Sequence, residues 1–456
     1  MQLGEQLRSK IFSLSVFGTK IIVLHDKDDA INLLDKRSAI YSDRTCPPMI
    51  REPSLLDWSD FGGLVGYGDQ WRRYRRLMNP WLNKQAVTAH HGSQVHTTRK
   101  LLEGLLGHPK EVRSSRELDA ELYLAISATL FRSLYGYEVN SCNDPLLVRS
   151  QKLIAHLTHA ALASNFMVNT IPALRYVPEW FPGAGWKRDA LKWRKEKESV
   201  MDELYKIGLE NMKKDQTAHP VAGSLRAQAI DLGLTEAEAD DYAKQISITI
   251  LAGGADTTVG QLLMFLLAMV LHAEVQKKAQ EELDFVIGSD RLPTLKDRAQ
   301  LGYVERVVQE TLRWAPVSPL AIPHTCFQDA TYKGYRIPKG AMVFGNVWAM
   351  TRDETVYKNP EFFDPDRFLD ESTPPSPVFG WGRRRCPGTH FAGASLFITI
   401  ASMLMSFNIG MAQDEHGKDV IPSGEMNNST LLTPKNFIFK LTSRSSRHEE
   451  LIQRDL

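Results

Sequence analysis

The chain has 456 residues, 43% hydrophobic and 24% charged, an ordinary globular composition. Its 55 Lys and Arg nearly cancel 54 Asp and Glu, so no global field points to nucleic acid or to an acidic partner, and electrostatic docking must rest on local patches. Cysteines at 46, 142, 326 and 386 lack CxxC spacing, which rules against a zinc site and gives no disulfide framework; a reducing compartment fits.

In chain order, residues 11–25 alternate apolar and polar, turn at Gly18-Thr19, and continue as a β-branched run, which predicts a two-stranded hairpin. A short helix is expected at 28–37. From 46 to 68, Pro, Gly and Trp break every period, so an irregular, mobile loop is expected. Helical periodicity returns at 70–106, 118–135 and 145–165. Residues 168–186 carry three prolines and large aromatics and do not suit a helix. A helix at 187–214 follows, then a polar linker at 215–223. Residues 235–273 form the longest helical pattern, followed by helices at 274–287 and 302–314 and short strands around 330–345. Beyond these come Pro/Asp-rich loops and one last helix at 391–407. The longest apolar runs, 262–271 and 394–407, fall short of the ~20 residues that span a bilayer.

Just before that last helix stands the most unusual segment, Phe379-Gly-Trp-Gly-Arg-Arg-Arg-Cys-Pro-Gly388. Glycines at 380, 382 and 388 permit positive φ and close approach of backbone to a flat ligand. Three arginines and a following helix N-terminus favour a thiolate at Cys386. Such a thiolate is either a nucleophile or an axial metal ligand. A second constellation lies inside the long helix. Gly253-Gly-Ala-Asp-Thr-Thr258 interrupts it, each glycine at about 1 kcal/mol relative to alanine. A helix locally opened toward a ligand accounts for that cost. The bland alternative is a mid-helix Thr257 back-bonding to a carbonyl beside a surface Asp256.

The spacing of Phe379, Gly382, Arg384, Cys386 and Gly388 resembles the haem-binding loop of the cytochrome P450 family. The resemblance runs in the family's order from Trp71 to Gly388 and implies one large, mainly α unit with a small β region, spanning residues 1–456 despite a length that alone suggests about three domains. It implies Cys386 as ligand of the iron of haem b (iron protoporphyrin IX), with Phe379 and Gly388 in the haem loop. Trp71, Arg75, His324 and Arg384 match propionate contacts. Asp256 and Thr257 resemble the acid–alcohol pair, Thr257 donating to dioxygen and Asp256 relaying protons. Glu310, Arg313 and Arg367 match a structural cluster that braces the cysteine loop from beneath; Asp366 stands where Glu is commoner.

The activity so implied is a monooxygenase that inserts one atom of dioxygen into a C–H bond of a small apolar substrate. No flavin or nicotinamide fingerprint appears, so electrons are expected from NADPH–cytochrome P450 reductase, with cytochrome b5 as a further donor. Arg72, Arg73, Arg76, Arg383 and Arg385 would rim its docking face. Residues near 55–67, 162–169, 245–257 and 315–322 are expected to line the substrate pocket. Wording at 33–44 and 321–324 resembles fungal, especially basidiomycete, members of secondary metabolism. Eukaryotic members begin with a membrane helix and a proline-rich hinge. This chain opens at the first β region, which implies a truncated form of a protein on the cytosolic face of the endoplasmic reticulum membrane, with 168–186 touching lipid. Rival readings are a haem-thiolate isomerase, dehydratase or peroxide-using enzyme, and a haem sensor or carrier.

Overall fold

The computed structural model describes residues 4, 6–16, 18–162, 164–214, 220–427 and 429–454. Long helices dominate: α1 (Asp69–Leu82), α2 (His91–Leu106), α3 (Ser115–Tyr135), α4 (Pro145–Ala161), α5 (Gly185–Lys214), α6 (Val221–Asp231), α7 (Glu236–Leu271), α8 (Ala273–Ile287), α9 (Gly302–Trp314), α10 (Thr389–Ser406) and α11 (Ser446–Arg454).

The core is organised along α7. Its start is set by a capping box, in which the Thr235 hydroxyl accepts from Glu238 N at 3.3 Å and the Glu238 carboxylate accepts from Thr235 N at 2.8 Å. Thirty-six residues at 1.5 Å each make it about 54 Å long. From Thr258 to Val270 every residue is buried, as a helix apolar on all sides must be. Helices α3, α6, α9 and α10 pack around it. Both α7 and α10 are long and apolar enough to cross a membrane, yet both lie mostly inside this core.

A smaller layer flanks the helices. Strands β1 (Ile11–Val16) and β2 (Thr19–Leu24) pair antiparallel, and β2 pairs parallel with β7 (Met342–Gly345), which takes β4 (His324–Thr325) on its far edge. Leu24, Tyr41, Val343, Val347 and Trp381 form a separate small core there, so the ring of Trp381 anchors the cysteine loop to this sheet. A second sheet has the order β3 (Val112–Ser114), β10 (Ile438–Ser443), β8 (Phe407–Gln413), β9 (Asp419–Val420); β5 (Ala330–Tyr332) and β6 (Tyr335–Ile337) form a hairpin.

Several expectations need correction. The helix expected at 70–106 is broken, because the Asn83 side chain accepts from Gln85 N and Ala86 N and starts a new 3₁₀ turn. The helix expected at 28–37 is one α-turn continued as a π-turn. Residues 46–68 are irregular but well packed, with Leu55, Leu56 and Trp58 sealed in the core. Of the expected linker at 215–223, residues 215–219 lie outside the described set, while Val221 already begins α6. Chain segments after α10 build β8, β9, β10 and α11, where no further element was expected.

Candidate functional site

Residues 379–388 form a tight loop closed by Cys386 N donating to Phe379 O at 2.8 Å. Phe379 itself is half-buried. Gly380 and Gly382 take φ of 73° and 52°. A Cβ on Gly382 would also collide with the Leu34 carbonyl oxygen, so only glycine fits. Gly388 is different: its φ is −82°, it holds the N-cap position of α10, and a Cβ added to it would lie 3.8 Å from the Cys386 sulfur. Neighbouring protein is dense around Cys386, yet the residue keeps accessible surface. Burial raises the thiol pKa, and the opposing pull of Gly388 N–H, Arg75 and Arg385 does not overcome it. The thiolate expected from the arginines alone therefore needs a further positive charge at the sulfur.

A cluster of cations lies beside this loop. Two guanidiniums lie near the Trp71 ring, Arg384 at 4.9 Å and Arg75 at 6.0 Å from its centre. Arg384 donates to Ser42 O at 2.6 Å and Val65 O at 2.7 Å. Arg75 has no hydrogen-bond or ion-pair partner among the described residues, and burial lowers its pKa. Arg44, which sequence reasoning missed, donates to Ile322 O at 2.8 Å and Pro323 O, while its Nε is buried without an acceptor. Burial and Arg384 bring the Arg44 pKa down to about 9; burial brings that of Arg384 down to about 10. His324 bonds Tyr41 O through Nδ1 at 2.6 Å, and burial with Arg44 and Arg384 nearby holds it down to about 3. Asp43 is the one carboxylate acting on Arg44 and Arg384, and its Oδ1 is engaged by Tyr67 N. Buried guanidiniums with too few acids form a site for anionic groups. The carboxylates of a haem would satisfy it, with Cys386 offering a sulfur ligand to its iron.

The third part lies on α7. Gly253 is exposed between the buried Ala252 and Ala255, with open space where a Cβ would be. Thr257 donates its hydroxyl to Gly253 O at 2.7 Å, so in this arrangement it offers lone pairs rather than a proton. Asp256 is not a surface residue: burial, then Asp119, raises its pKa to about 6. No hydrogen bond or ring contact joins Asp256 or Thr257 to the Cys386 loop; the packing of α7 on α10 relates the two. Among the residues expected to line the pocket, Thr249 accepts from Gly62 N at 2.9 Å, Leu320 and Ile322 are exposed, and Val317 lies against Gly260. Leu432 N donates to Val317 O at 2.7 Å, which brings the 429–434 turn, absent from the expected lining, against Val317.

Glu310 and Arg313 are sealed from solvent, and Arg367 joins the same carboxylate. Their remaining donors go to Thr351, Lys358, Asn359, Pro360 and Phe362 carbonyls. The cluster thus staples the 351–362 segment; none of these bonds reaches residues 379–388. Asp366 faces outward and pairs with Lys278 and Arg306.

This fold and thiol-and-cation site define a haem-thiolate protein, and the comparisons agree. Residues 2–441 match the family model described as Cytochrome P450. The chain is 36% identical to cytochrome P450 monooxygenase claR of Ampulloclitocybe clavipes over 97% of its length and 82% of the relative. It is 34% identical to cytochrome P450 monooxygenase ARMGADRAFT_974139 of Armillaria gallica, over 98% and 87%, and 35% identical to cytochrome P450 monooxygenase COX2 of Coprinopsis cinerea, over 94% and 82%. Among solved structures, a zebra fish cytochrome P450 with progesterone superposes with a TM-score of 0.77 at 23% identity, covering 97% of this chain and 98% of that one. The chain belongs to the cytochrome P450 family. It is a mainly α haem-thiolate monooxygenase that binds haem b and uses dioxygen and a redox partner.

Proposed function

We propose that Cys386 would ligate the haem iron, that Trp71, Arg75, His324, Arg384 and Arg44 would hold the propionates, and that Phe379 and Gly388 would shape the haem loop beside the sulfur. The observation that carries this reading is the group of buried, acid-poor guanidiniums around Trp71, which binding of two carboxylates would neutralise. When bound, the haem supplies the oxygen chemistry, and thiolate ligation favours O–O cleavage. Asp256 holds and returns protons, and Thr257 orients them at the opening beside Gly253. Residues 1–456 act as one catalytic unit.

The substrate is a small apolar molecule: Phe61 and Ile322 meet at Gly63, Val317 lies against Gly260 of α7, and Leu432 N donates to Val317 O. The setting is secondary metabolism or xenobiotic oxidation in a basidiomycete. Arg72, Arg73, Arg76, Arg383 and Arg385 are all exposed, Arg72 and Arg383 both over the Tyr67 ring, and form the docking rim for NADPH–cytochrome P450 reductase, with cytochrome b5 as a second donor. Met167, Ile171, Tyr176, Trp180 and Phe181 are exposed together between α4 and α5 and rest on the endoplasmic reticulum membrane from its cytosolic face.

A reduced, CO-treated sample of the haem-loaded protein tests the assignment of Cys386. The red-shifted thiolate band is expected in the wild type and absent in Cys386→Ser. Its persistence in that variant would sink the assignment.

A further inference from the structure

Helix α5 starts beside the exposed aromatic segment. The Arg188 guanidinium donates to Glu179 O at 2.6 Å, and Glu179 directly precedes Trp180. Trp180 is 79% exposed and Tyr176 72%, and the Phe181 ring centre lies 6.3 Å from that of Trp180. Between this segment and the first turns of α5 runs an open groove of about 500 Å³, lined by Glu179, Arg188, Leu191, Lys192, Lys195 and Glu196. Arg188, Leu191, Lys192 and Lys195 stand at i, i+3, i+4 and i+7, so they form one continuous helix face.

The charged face of a surface helix is usually just solvated. Pairing separates this face from that default. Elsewhere on α5, Arg194 pairs with Asp57 and Glu198, and Lys206 pairs with Glu210. Arg188, Lys192 and Lys195 have no ion pair among the described residues. Of the two acids in the groove, Glu196 is held from α4, with Lys152 Nζ at 3.7 Å and His156 Nδ1 at 3.8 Å. Glu179 alone then stands against three cations.

Unpaired cations attract anions, while large exposed rings favour an apolar phase with a polar edge. A bilayer bearing anionic headgroups supplies both on one surface. We propose that the α5 face of Arg188, Lys192 and Lys195 binds the phosphates of anionic phospholipids while Tyr176, Trp180 and Phe181 enter the headgroup region. This rests on the reading that residues 168–186 meet lipid, and adds to it a selectivity for charge. Arg188 Nη1 is committed to Glu179 O, so its other N–H groups and the two ammonium groups are the donors offered to phosphate oxygens.

The test is co-sedimentation of the haem-loaded chain with vesicles of phosphatidylcholine alone and with one phosphatidylserine in four lipids. Each cation near an anionic surface contributes about fivefold, so wild type should bind the mixed vesicles roughly 100-fold more tightly than the neutral ones. Added salt should erase most of that difference. Lys192→Gln combined with Lys195→Gln, both at exposed positions, should weaken binding to mixed vesicles by about 25-fold. Binding to neutral vesicles, the thiolate CO band and the melting temperature should not change in that variant. Lys206→Gln, on the same helix outside the groove, should bind as wild type does, and Trp180→Ala should lose affinity for both kinds of vesicle. Equal binding of wild type to the two lipid mixtures would overturn the charge-selective face and leave the lipid contact standing. Binding to neither would remove both. Displacement from mixed vesicles by inorganic phosphate at constant ionic strength would make the face a site for a free anion and not for a lipid surface. If the double variant weakens binding of the reductase and leaves vesicle binding untouched, the face docks protein and the lipid assignment is wrong.

Discussion

His324 gives its Nδ1 proton to the carbonyl of Tyr41, 2.6 Å away, and since a carbonyl can only accept, the neutral ring presents Nε2 as an acceptor. A propionate cannot bond that lone pair. Burial depresses His324 most, and the cations that add to it, Arg44 and Arg384, are the ones that carboxylates would neutralise. Haem loading is therefore expected to raise the His324 pKa and to take up protons in the acid range that this rise spans. Proton uptake in weakly buffered solution, with His324→Gln as control, measures it; equal uptake by the variant would place the proton elsewhere.

The same residue sets a pH dependence in the apoprotein. Its folded pKa of about 3 lies below the ordinary 6.5, so the unfolded chain binds more protons between those values. Stability through His324 is then full above pH 6.5 and falls as pH drops, by up to roughly 1.4 kcal/mol per unit. Asp256 works the other way: raised from 3.8 to about 6, it weakens the fold as pH rises through that window. Urea unfolding of wild type should show a muted slope between pH 4 and pH 6, on the order of one proton's worth cancelled. His324→Gln should unmask stability that falls as pH rises.

Much of this site is legible in the primary structure because it is local. Phe379 to Gly388 is one loop, Trp71 and Arg75 are i, i+4 neighbours, and Glu310 and Arg313 share a helix face. Arg44 was not legible: its partners are the carbonyls of Ile322 and Pro323, and nothing around position 44 encodes a contact so distant in sequence. The same reason hid β8 and β10, short alternating runs whose strand character comes from pairing with each other. Nor could composition alone decide whether the arginines or burial win at Cys386. That balance depends on how deep the loop is set.

Glu310 accepts both prongs of Arg313 at 2.7 Å and also Arg367 Nε and Asp364 N. With no solvent at either side chain, Arg313→Ala leaves a buried carboxylate short of charge and should destabilise the protein by about 3–5 kcal/mol. Arg313→Lys should rescue little, as one ammonium cannot replace a fork bonded to Glu310 and three carbonyls. A denaturation midpoint equal to wild type in Arg313→Ala would remove the stapling role.

Gly380 and Gly382 separate two causes that a motif merges. Both have positive φ, but a Cβ on Gly380 meets nothing, whereas one on Gly382 meets the backbone of Leu34 and Asp35. Gly380→Ala should lose about 1–2 kcal/mol and keep a normal CO band. Gly382→Ala should fail to hold the loop against its neighbour and yield little haem-loaded protein. Equal haem content in the two variants would refute the steric assignment.

Gly253 and Gly254 divide in the same way. At Gly254 an added methyl meets Leu130, so Gly254→Ala should strain the α3–α7 contact and lower the melting temperature. At Gly253 the space is empty and the backbone helical, so Gly253→Ala should stabilise the apoprotein by about 1 kcal/mol through helix propensity alone. On the proposed assignment, that space faces the substrate. The stabilised variant should therefore show weaker substrate-induced spin shifts, while its thiolate band is unchanged. A gain in stability with undiminished spin shifts would mean that Gly253 does not face the substrate, and the opening in α7 would need another explanation.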